Sequence, residues 1–253
     1  QQHSGGAFPC YIDVNEEEDL LAVGNYGTGN IAVYAVAKDG KIGSEPFQYQ
    51  HEGQGPDEDR QEGPHAHFVH FEGEAGYMFA VDLGIDKIMA YRINDDSIGD
   101  LPKVAIEMEP GDGPRHLVFH PSKKYAYAIN ELSNSVVAME ADLQNGTFQI
   151  IGRASTLPED FSGHNQCADI HISSNGKYLY ASNRGHDSIA IFSIDEDGKP
   201  LGVYFKESKD ANKLIEEFML LANKKVAEFI GKPSEKNKKP FNEVPKFKQF
   251  NVK

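Results

Sequence analysis

One sequence pattern occurs four times along this chain, and it constrains the fold more than any other feature. Each copy contains a short alternating strand, a tight turn, a second β-rich strand that ends in Asn or Asp, a polar turn and a third strand. The strand-ending residues are 57, 48 and 53 positions apart: Asn25, Asp82, Asn130 and Asn183. An aromatic residue or Met closes the third strand nine positions later: Tyr34, Tyr91, Met139 and Phe192.

Repeats of this length with four antiparallel strands are typical of β-propeller blades. The segments between the copies, such as KVAIEMEPG and FQIIGRASTLP, supply candidates for the fourth strand. Alternation with a period of two excludes a solenoid of helical repeats, and a β-sandwich would not repeat one motif four times. We therefore predict an all-β fold for residues 1–203, with about four blades of a β-propeller.

Two positions of the repeat change chemically from copy to copy. The first lies fifteen residues before the strand-ending residue: Cys10, His67, Arg115 and Ala168. The second lies one residue after it: Tyr26, Leu83, Glu131 and Arg184. In an antiparallel hairpin the start of one strand lies beside the end of the other, so both positions open on the same face.

Packing residues should look alike in every copy, and these two positions do not. They hold His67, Arg115, Glu131 and Arg184 in three successive copies, which predicts a composite site near the central channel. Two arginines can hold an anionic group bidentately and stabilise an oxyanion. A nearby His or Glu can act as a general base, and the set therefore suits the opening of a lactone or its reverse. The alternative is that solvated strand ends collect polar residues by chance.

Several weaker signals surround this set. His65 and His67 have a spacing compatible with metal ligation, but no carboxylate spacing completes such a site. Asn130 and Glu131 could supply two ligands of a calcium site. The adjacent arginines argue against a bound cation at this place. We therefore predict no metal and no cofactor. The acidic insertion GPDEDRQEGP before the His pair either borders the site or is solvated.

The body of the chain also resembles a known family. The resemblance is carried by EDRQEGPHAHFVHF, DLGIDKI, GPRHLVFHP, YAINELSNSV, STLPEDFSGHNQCADIHIS and YASNRGHDSIAIF. Residues 1 to about 200 closely resemble the seven-bladed β-propeller lactonases, a family that includes 6-phosphogluconolactonases and carboxymuconate cycloisomerases. The resemblance implies an active site of His67, Arg115, Glu131 and Arg184. It also implies hydrolysis of 6-phospho-D-glucono-1,5-lactone to 6-phosphogluconate.

Three further residues are predicted to contact the substrate. His65 is two residues from His67, and residues two apart on a strand face the same side. Asn130 and Asn183 end their strands next to Glu131 and Arg184.

The distribution of charge limits the partners. Residues 1–203 contain 13 Lys and Arg against 32 Asp and Glu, which argues against general binding to nucleic acid or to an anionic membrane. The chain has five arginines, which are Arg60, Arg92, Arg115, Arg153 and Arg184. Convergence of two of them would indicate an anionic ligand. We predict a small anionic lactone as the partner. The sequence shows no signal-peptide pattern and no apolar run long enough for a bilayer, and we predict a cytoplasmic location.

Residues 204–253 have a different character, with 12 Lys and Arg against 7 Asp and Glu. The sequence SKDANKLIEEFMLLANKKVAEFIGK predicts an amphipathic helix from about Ser208 to Ile230, and the Lys- and Pro-rich end is expected to be disordered. The segment from GKPLG to FIGK resembles part of the catalytic domain of ribonuclease R/II-type exoribonucleases. The magnesium-binding aspartate cluster of that family has no counterpart here. We predict two segments of different origin, 1–203 and 204–253.

Four blades also raise a question of closure. A seven-bladed disc needs roughly 350 residues at about 50 residues per blade, and this sequence reads as if it starts within a repeat. Open sheet edges would then favour oligomerisation. The sequence leaves two alternatives open, a non-catalytic propeller fragment with a scaffold or binding role and, on the tail alone, an RNA-processing protein.

Overall fold

The computed structural model describes residues 2–94, 97–99 and 101–207. Within these residues the chain forms four antiparallel sheets. Sheet 1 contains β1 (Pro9–Val14), β2 (Leu20–Asn25), β3 (Asn30–Ala35) and β4 (Phe47–Gln50). Sheet 2 contains β5 (Ala66–Glu72), a 3₁₀ turn (Gly73–Ala75), β6 (Tyr77–Asp82), β7 (Lys87–Asn94), β8 (Ser97–Ile98) and β9 (Lys103–Glu107). Sheet 3 contains β10 (Pro114–Phe119), β11 (Tyr125–Asn130), β12 (Ser135–Asp142) and β13 (Thr147–Ser155). Sheet 4 contains β14 (Gln166–Ile172), β15 (Tyr178–Arg184), β16 (Ser188–Ile194) and β17 (Pro200–Glu207).

Strand β6 shows why these sheets stack on one another. Successive side chains of a strand point to opposite faces. Tyr77, Phe79 and Val81 belong to an apolar cluster shared with sheet 3, whereas Met78 and Ala80 belong to a cluster shared with sheet 1. Because both faces of the strand are apolar, the sheet needs a neighbour on each side.

The sheets are arranged as successive blades. One apolar cluster lies between sheets 1 and 2, a second between sheets 2 and 3, and a third between sheets 3 and 4. Strand β1 contacts β5, β5 contacts β10, and β10 contacts β14. The first strands therefore lie side by side, and the last strands β9, β13 and β17 follow one another in the same way. The prediction of an all-β propeller architecture with four blades is confirmed for the described residues.

The predicted strand ends are close to those observed. Strands β2, β6 and β11 end at Asn25, Asp82 and Asn130, as predicted, while β15 continues one residue beyond Asn183. The third strands continue for one to three residues past the residue predicted to close them, which is buried in each case: Tyr34, Tyr91, Met139 and Phe192.

Each first strand has a β-bulge where it pairs with the second strand, one residue from the strand-ending Asn or Asp. In sheets 1 to 3 the residues outside the regular pairing are Cys10, His67 and Arg115. In sheet 4 the register shifts across Ala168 and Asp169. A bulge inserts an unpaired residue and redirects side chains. Cys10, His67 and Arg115 therefore share a backbone geometry as well as an equivalent place in the repeat, and the sequence pattern alone does not indicate that geometry.

The last described strand lies across the predicted boundary between residues 1–203 and 204–253. Strand β17 extends to Glu207 and therefore crosses the boundary predicted at residue 203. The predicted helix from about Ser208 to Ile230 and the tail after it lie outside the described residues, so the separate origin of residues 204–253 stays a prediction. No helix in the described part of the chain has the length and hydropathy of a membrane span.

Candidate active site

The four predicted catalytic residues come from three neighbouring sheets. His67 and Arg115 are the bulge residues of β5 and β10, Glu131 follows β11, and Arg184 ends β15. The backbone of Glu131 links two sheets, because its amide donates to the Gly113 carbonyl at 2.7 Å and its carbonyl accepts from the Cys167 amide at 3.3 Å. The carboxylate of Glu131 is thus fixed at the boundary between sheets 3 and 4.

Three guanidinium groups converge on the Glu131 carboxylate. Arg60 Nη2 donates to Oε1 at 2.6 Å, and Arg115 Nε donates to Oε2 at 2.9 Å. Arg184 Nη2 also lies 2.9 Å from Oε2. The structure therefore brings together Arg115, Glu131 and Arg184, as predicted, and adds Arg60. One buried carboxylate has three cationic partners, which leaves a local excess of positive charge in an otherwise acidic body.

These contacts fix the protonation of Glu131. Burial alone would raise the pKa of this carboxyl group, but the hydrogen bond from Arg60 and the charges of Arg184, Arg60 and Arg115 outweigh burial and lower the pKa below its ordinary value. Glu131 is therefore an anion with both oxygens engaged. A carboxylate in this state is a weak base, and its main effect is to orient the guanidinium groups around it.

Arg60 reaches the site from the acidic loop between β4 and β5. Its neighbour Gln61 is fully buried, and Gln61 Nε2 donates to the Leu83 carbonyl and to Asp86 Oδ1, both at 2.8 Å. The loop is thereby anchored to sheet 2, and Arg60 is held beside Glu131. Arg60 lies outside the repeat and has no equivalent in the other copies, so the repeat pattern does not indicate it. The scarcity of arginine in the sequence was the signal that could have identified it.

His67 supplies an uncharged imidazole at the same place. The residue is 8% exposed, and its Nδ1 has no hydrogen-bond partner among the described residues. Burial, reinforced by the positive charge of Arg115, lowers the pKa of His67 to about 3. The ring packs edge-on against Tyr26 with centroids 5.5 Å apart. His67 is therefore neutral at physiological pH and able to accept a hydrogen bond.

A pocket of ≈ 450 Å³ lies against this cluster. Its wall includes Tyr26, Arg60, His67, Glu131 and Arg184, whereas Arg115 is not among the lining residues and lies behind Glu131, to which it is hydrogen-bonded. Larger cavities of ≈ 530 and ≈ 740 Å³ elsewhere contain none of these five residues. The arginine donors beside the pocket are N–H groups, which bind anions and do not ligate cations. Within the described residues there is also no group of three or more His, Cys, Asp or Glu side chains arranged to hold a metal ion.

His65 lies just before β5, which begins at Ala66, and contacts the same tyrosine ring as His67. The bulge at His67 interrupts the regular alternation of the strand, but both imidazoles pack against Tyr26. His65 stacks on Tyr26 at 4.4 Å and donates from Nδ1 to the Tyr26 carbonyl at 2.9 Å. Because Tyr26 Oη accepts from Arg60 at 3.4 Å, His65 supports the wall of the pocket. Its contact with substrate stays a prediction.

Asn130 and Asn183 are buried and absent from the residues that line the pocket. Asn130 Nδ2 donates to Ser135 Oγ at 3.0 Å, and Asn183 Nδ2 donates to the Thr156 carbonyl at 2.7 Å. These bonds join strand ends to neighbouring segments of the fold, which is a structural role. The prediction that the two amides contact substrate stays a prediction.

Comparison with known proteins adds independent findings. The family model "Lactonase, 7-bladed beta-propeller" matches residues 1–210. The 6-phosphogluconolactonase of Bacillus subtilis (strain 168) is 39% identical over 207 residues, which are 82% of this chain and 58% of that protein. This chain therefore spans less than two thirds of the length of that relative. An uncharacterised protein of Staphylococcus saprophyticus is 38% identical over 197 residues, 77% of this chain and 55% of its own.

Solved structures show the same similarity. A putative 6-phosphogluconolactonase from Bacteroides fragilis has a TM-score of 0.73 and 34% identity, covering 82% of this chain and 59% of that one. The periplasmic gluconolactonase of Pseudomonas aeruginosa has a TM-score of 0.70 and 28% identity, covering 79% of this chain and 57% of that one.

Proposed function

Because the chain belongs to the seven-bladed β-propeller lactonase family, we propose that it hydrolyses a sugar lactone that carries an anionic group, with 6-phospho-D-glucono-1,5-lactone as the substrate. The relatives named 6-phosphogluconolactonase support this substrate. The observation that carries the proposal is the convergence of Arg60, Arg115 and Arg184 on Glu131 beside the pocket.

The charge of the site favours a phosphorylated substrate. Three guanidinium groups and one carboxylate leave two positive charges in excess. A phosphate monoester carries a charge of about −1.5 to −2 at pH 7. Guanidinium groups bind phosphate oxygens through charge-assisted N–H donors, so this excess matches a phosphate group in charge. A neutral sugar lactone would leave the excess uncompensated.

The reaction needs stabilisation of an oxyanion and a positioned water molecule. Water oxygen adds to the lactone carbonyl carbon and gives up a proton to the solvent, and the negative charge that develops on the carbonyl oxygen is stabilised by guanidinium N–H donors of Arg115 and Arg184. The bond between this carbon and the ring oxygen then breaks, and the ring oxygen takes up a proton to become a hydroxyl group. The product is a carboxylate, and one proton is released per turnover.

His67 and Glu131 have different roles in this scheme. The uncharged imidazole of His67 accepts a hydrogen bond from the attacking water and orients it. Glu131 holds the guanidinium groups in place, because its own oxygens are already engaged by them. No step requires a metal ion.

Proton release gives a direct test. The full chain is added to 6-phospho-D-glucono-1,5-lactone at pH 7 in a pH-stat, and the uncatalysed hydrolysis is subtracted. Unphosphorylated D-glucono-1,5-lactone serves as the matched substrate. We expect catalysis with a kcat/KM at least about tenfold higher for the phosphorylated lactone, which corresponds to a modest charge-assisted contact.

Two results would contradict the proposal. Equal kcat/KM for the two lactones would remove the role of the phosphate group. Proton release no faster than the uncatalysed rate with either substrate would favour a non-catalytic binding role for the blades.

A further inference from the structure

We propose that His116 is a positioning residue for Arg115 in the reaction proposed above, and that Asp169 sets its tautomer. Arg115 Nη1 lies 3.1 Å from His116 Nε2, and His116 Nδ1 lies 2.8 Å from Asp169 Oδ1. The three side chains form a continuous line of hydrogen bonds from the buried end of the Arg115 guanidinium across the boundary between sheets 3 and 4.

The bulge in β10 makes this contact between neighbours in sequence possible. Successive side chains of a regular strand point to opposite faces and cannot meet. Arg115 is outside the regular pairing, and His116 resumes it opposite Ile129, so the alternation is interrupted between them. Asp169 lies in the corresponding bulge of β14. The two bulges together bring these side chains into contact.

Hydrogen-bond chemistry determines which nitrogen of His116 carries the proton. A guanidinium group has only donors, so His116 Nε2 must accept and must be unprotonated. The proton of the neutral ring is then on Nδ1, where it is donated to the Asp169 carboxylate. Asp169 is itself held, because its Oδ1 accepts from the Ile170 amide at 3.0 Å and its Oδ2 lies 2.9 Å from His171 Nε2.

The surroundings of His116 favour this neutral form. The ring is buried against Tyr11, His67 and Phe68, at centroid distances of 5.3, 5.4 and 5.3 Å. Burial, reinforced by the charge of Arg115, lowers the pKa of His116 from 6.5 to about 4 despite the nearby carboxylate. The titratable and charged groups around the ring come from all four sheets: Tyr11, His67, Arg115, Asp169 and His171.

The consequence concerns the orientation of the guanidinium group. Arg115 Nε is fixed by Glu131, and Nη1 is fixed by the Ala168 carbonyl at 2.8 Å and by His116. With these donors occupied, the plane of the guanidinium is set before substrate binds. A guanidinium fixed in advance stabilises an oxyanion without reorganisation during the reaction.

Nuclear magnetic resonance tests the arrangement without any measurement of activity. The full chain is labelled with ¹⁵N-histidine, and the His116 signals are assigned from their loss in His116→Gln. We expect a protonated Nδ1 and an unprotonated Nε2 between pH 5 and 8, with protonation only as the pH approaches about 4. A ring protonated on Nε2, or a titration midpoint near 6.5, would overturn the proposal.

Exchange of the Arg115 Nη1 protons tests positioning directly, because Nη1 is the group that His116 contacts. The His116→Leu variant removes the acceptor, whereas His116→Gln keeps an oxygen acceptor close to the Nε2 position. We expect the Arg115 signal, assigned from Arg115→Lys, to exchange slowly in the wild type and in His116→Gln, and rapidly in His116→Leu. Slow exchange in His116→Leu with native spectra elsewhere would overturn the proposal.

Kinetics test the role in the reaction. We expect His116→Leu to lower kcat by roughly 10–100-fold with KM changed by less than about threefold, and His116→Gln to recover most of the loss. His120→Leu is the matched control. His120 lies on the same segment of the chain as His116, and its side chain contacts Ser122. Equal losses in His116→Gln and His116→Leu would show that the acceptor is unimportant.

If His116→Leu does not fold, Asp169→Asn provides the test. The Asp169 side chain is 50% exposed, so its replacement disturbs less packing than the replacement of buried His116. Removing this carboxylate should lower the His116 titration midpoint further, and an unchanged or higher midpoint would overturn the link between the two residues. A wild-type chain that hydrolyses no lactone would refute the proposed function, while the resonance measurements would still decide the arrangement of Asp169, His116 and Arg115.

Discussion

Replacing Glu131 by Gln removes the charge that three guanidinium groups share while keeping the shape of the side chain. The carboxylate is 4% exposed, so Arg60, Arg115 and Arg184 would be left close together without a counter-ion. Breaking a buried ion pair by removing one partner costs about 3–5 kcal/mol. Arg184 is 46% exposed and water solvates part of its charge, which favours the lower end of this range, about 3 kcal/mol.

The expected loss is large enough to measure by thermal unfolding. For a folded body of about 200 residues, each kcal/mol of lost stability lowers Tm by about 2–4 °C. We therefore expect Glu131→Gln to melt about 6–12 °C below the wild type at pH 7. Glu109→Gln is the matched control, because Glu109 is 74% exposed and lies 3.5 Å from Arg153. A surface pair of this kind contributes about 0–1 kcal/mol, so the control should melt within about 4 °C of the wild type.

The pH dependence gives a second test of the same reasoning. The pKa of Glu131 is lower in the folded chain than its ordinary value of 4.5. Its ion pairs therefore contribute fully above the unfolded pKa, and their contribution is lost as the pH falls through the folded pKa. The difference in Tm between wild type and Glu131→Gln should be constant from pH 6 to 8 and should shrink below about pH 4. A variant that melts within 2 °C of the wild type at pH 7, or a difference in Tm that does not shrink as the pH falls below about 4, would refute this account.

Three further predictions concern catalysis and the end of the fold. Arg184→Ala should lower kcat/KM by about 10²–10³-fold through the loss of an oxyanion donor. Arg92 lies outside the pocket, so Arg92→Ala should have little effect on kcat/KM, and similar losses in both variants would contradict the assignment of Arg184 to the site. Activity should survive EDTA because the proposed reaction uses arginine donors, and a loss that calcium or zinc restores would contradict it. A chain that ends at Val203 should melt about 4–8 °C below one that ends at Glu207, since it loses Phe205 from the apolar cluster between sheets 3 and 4; equal Tm values would contradict this.

The repeat made the blades and two of the arginines predictable because hairpin pairing is local. Arg115 and Arg184 occupy equivalent ends of a hairpin, and the start of one strand necessarily lies beside the end of the next. The repeat pattern of a single sequence is therefore sufficient to predict that Arg115 and Arg184 lie on the same face as Glu131. Their convergence on that one carboxylate required the packing of sheet 3 against sheet 4, which the repeat pattern does not specify.

Arg60 and His116 could not be found in the same way. Arg60 lies on an irregular loop whose path depends on the buried contacts of Gln61 with sheet 2. His116 follows a bulge, and strand alternation would place its side chain on the face opposite that of Arg115. The pairing register that removes the alternation appears only when both strands are seen together. The positions of Arg60 and His116 therefore depend on loop anchoring and on long-range pairing, which a single sequence does not specify.

The bulges in the first strands also bear on how such a site changes during evolution. A residue outside the regular pairing contributes no cross-strand partner, so its replacement leaves the ladder around it intact. In this chain the same backbone frame carries Cys10, His67, Arg115 and Ala168. The chemical content of the pocket can therefore be altered one blade at a time by point substitution. New substrate preferences can arise in this architecture without insertions and without rebuilding the strands that support them.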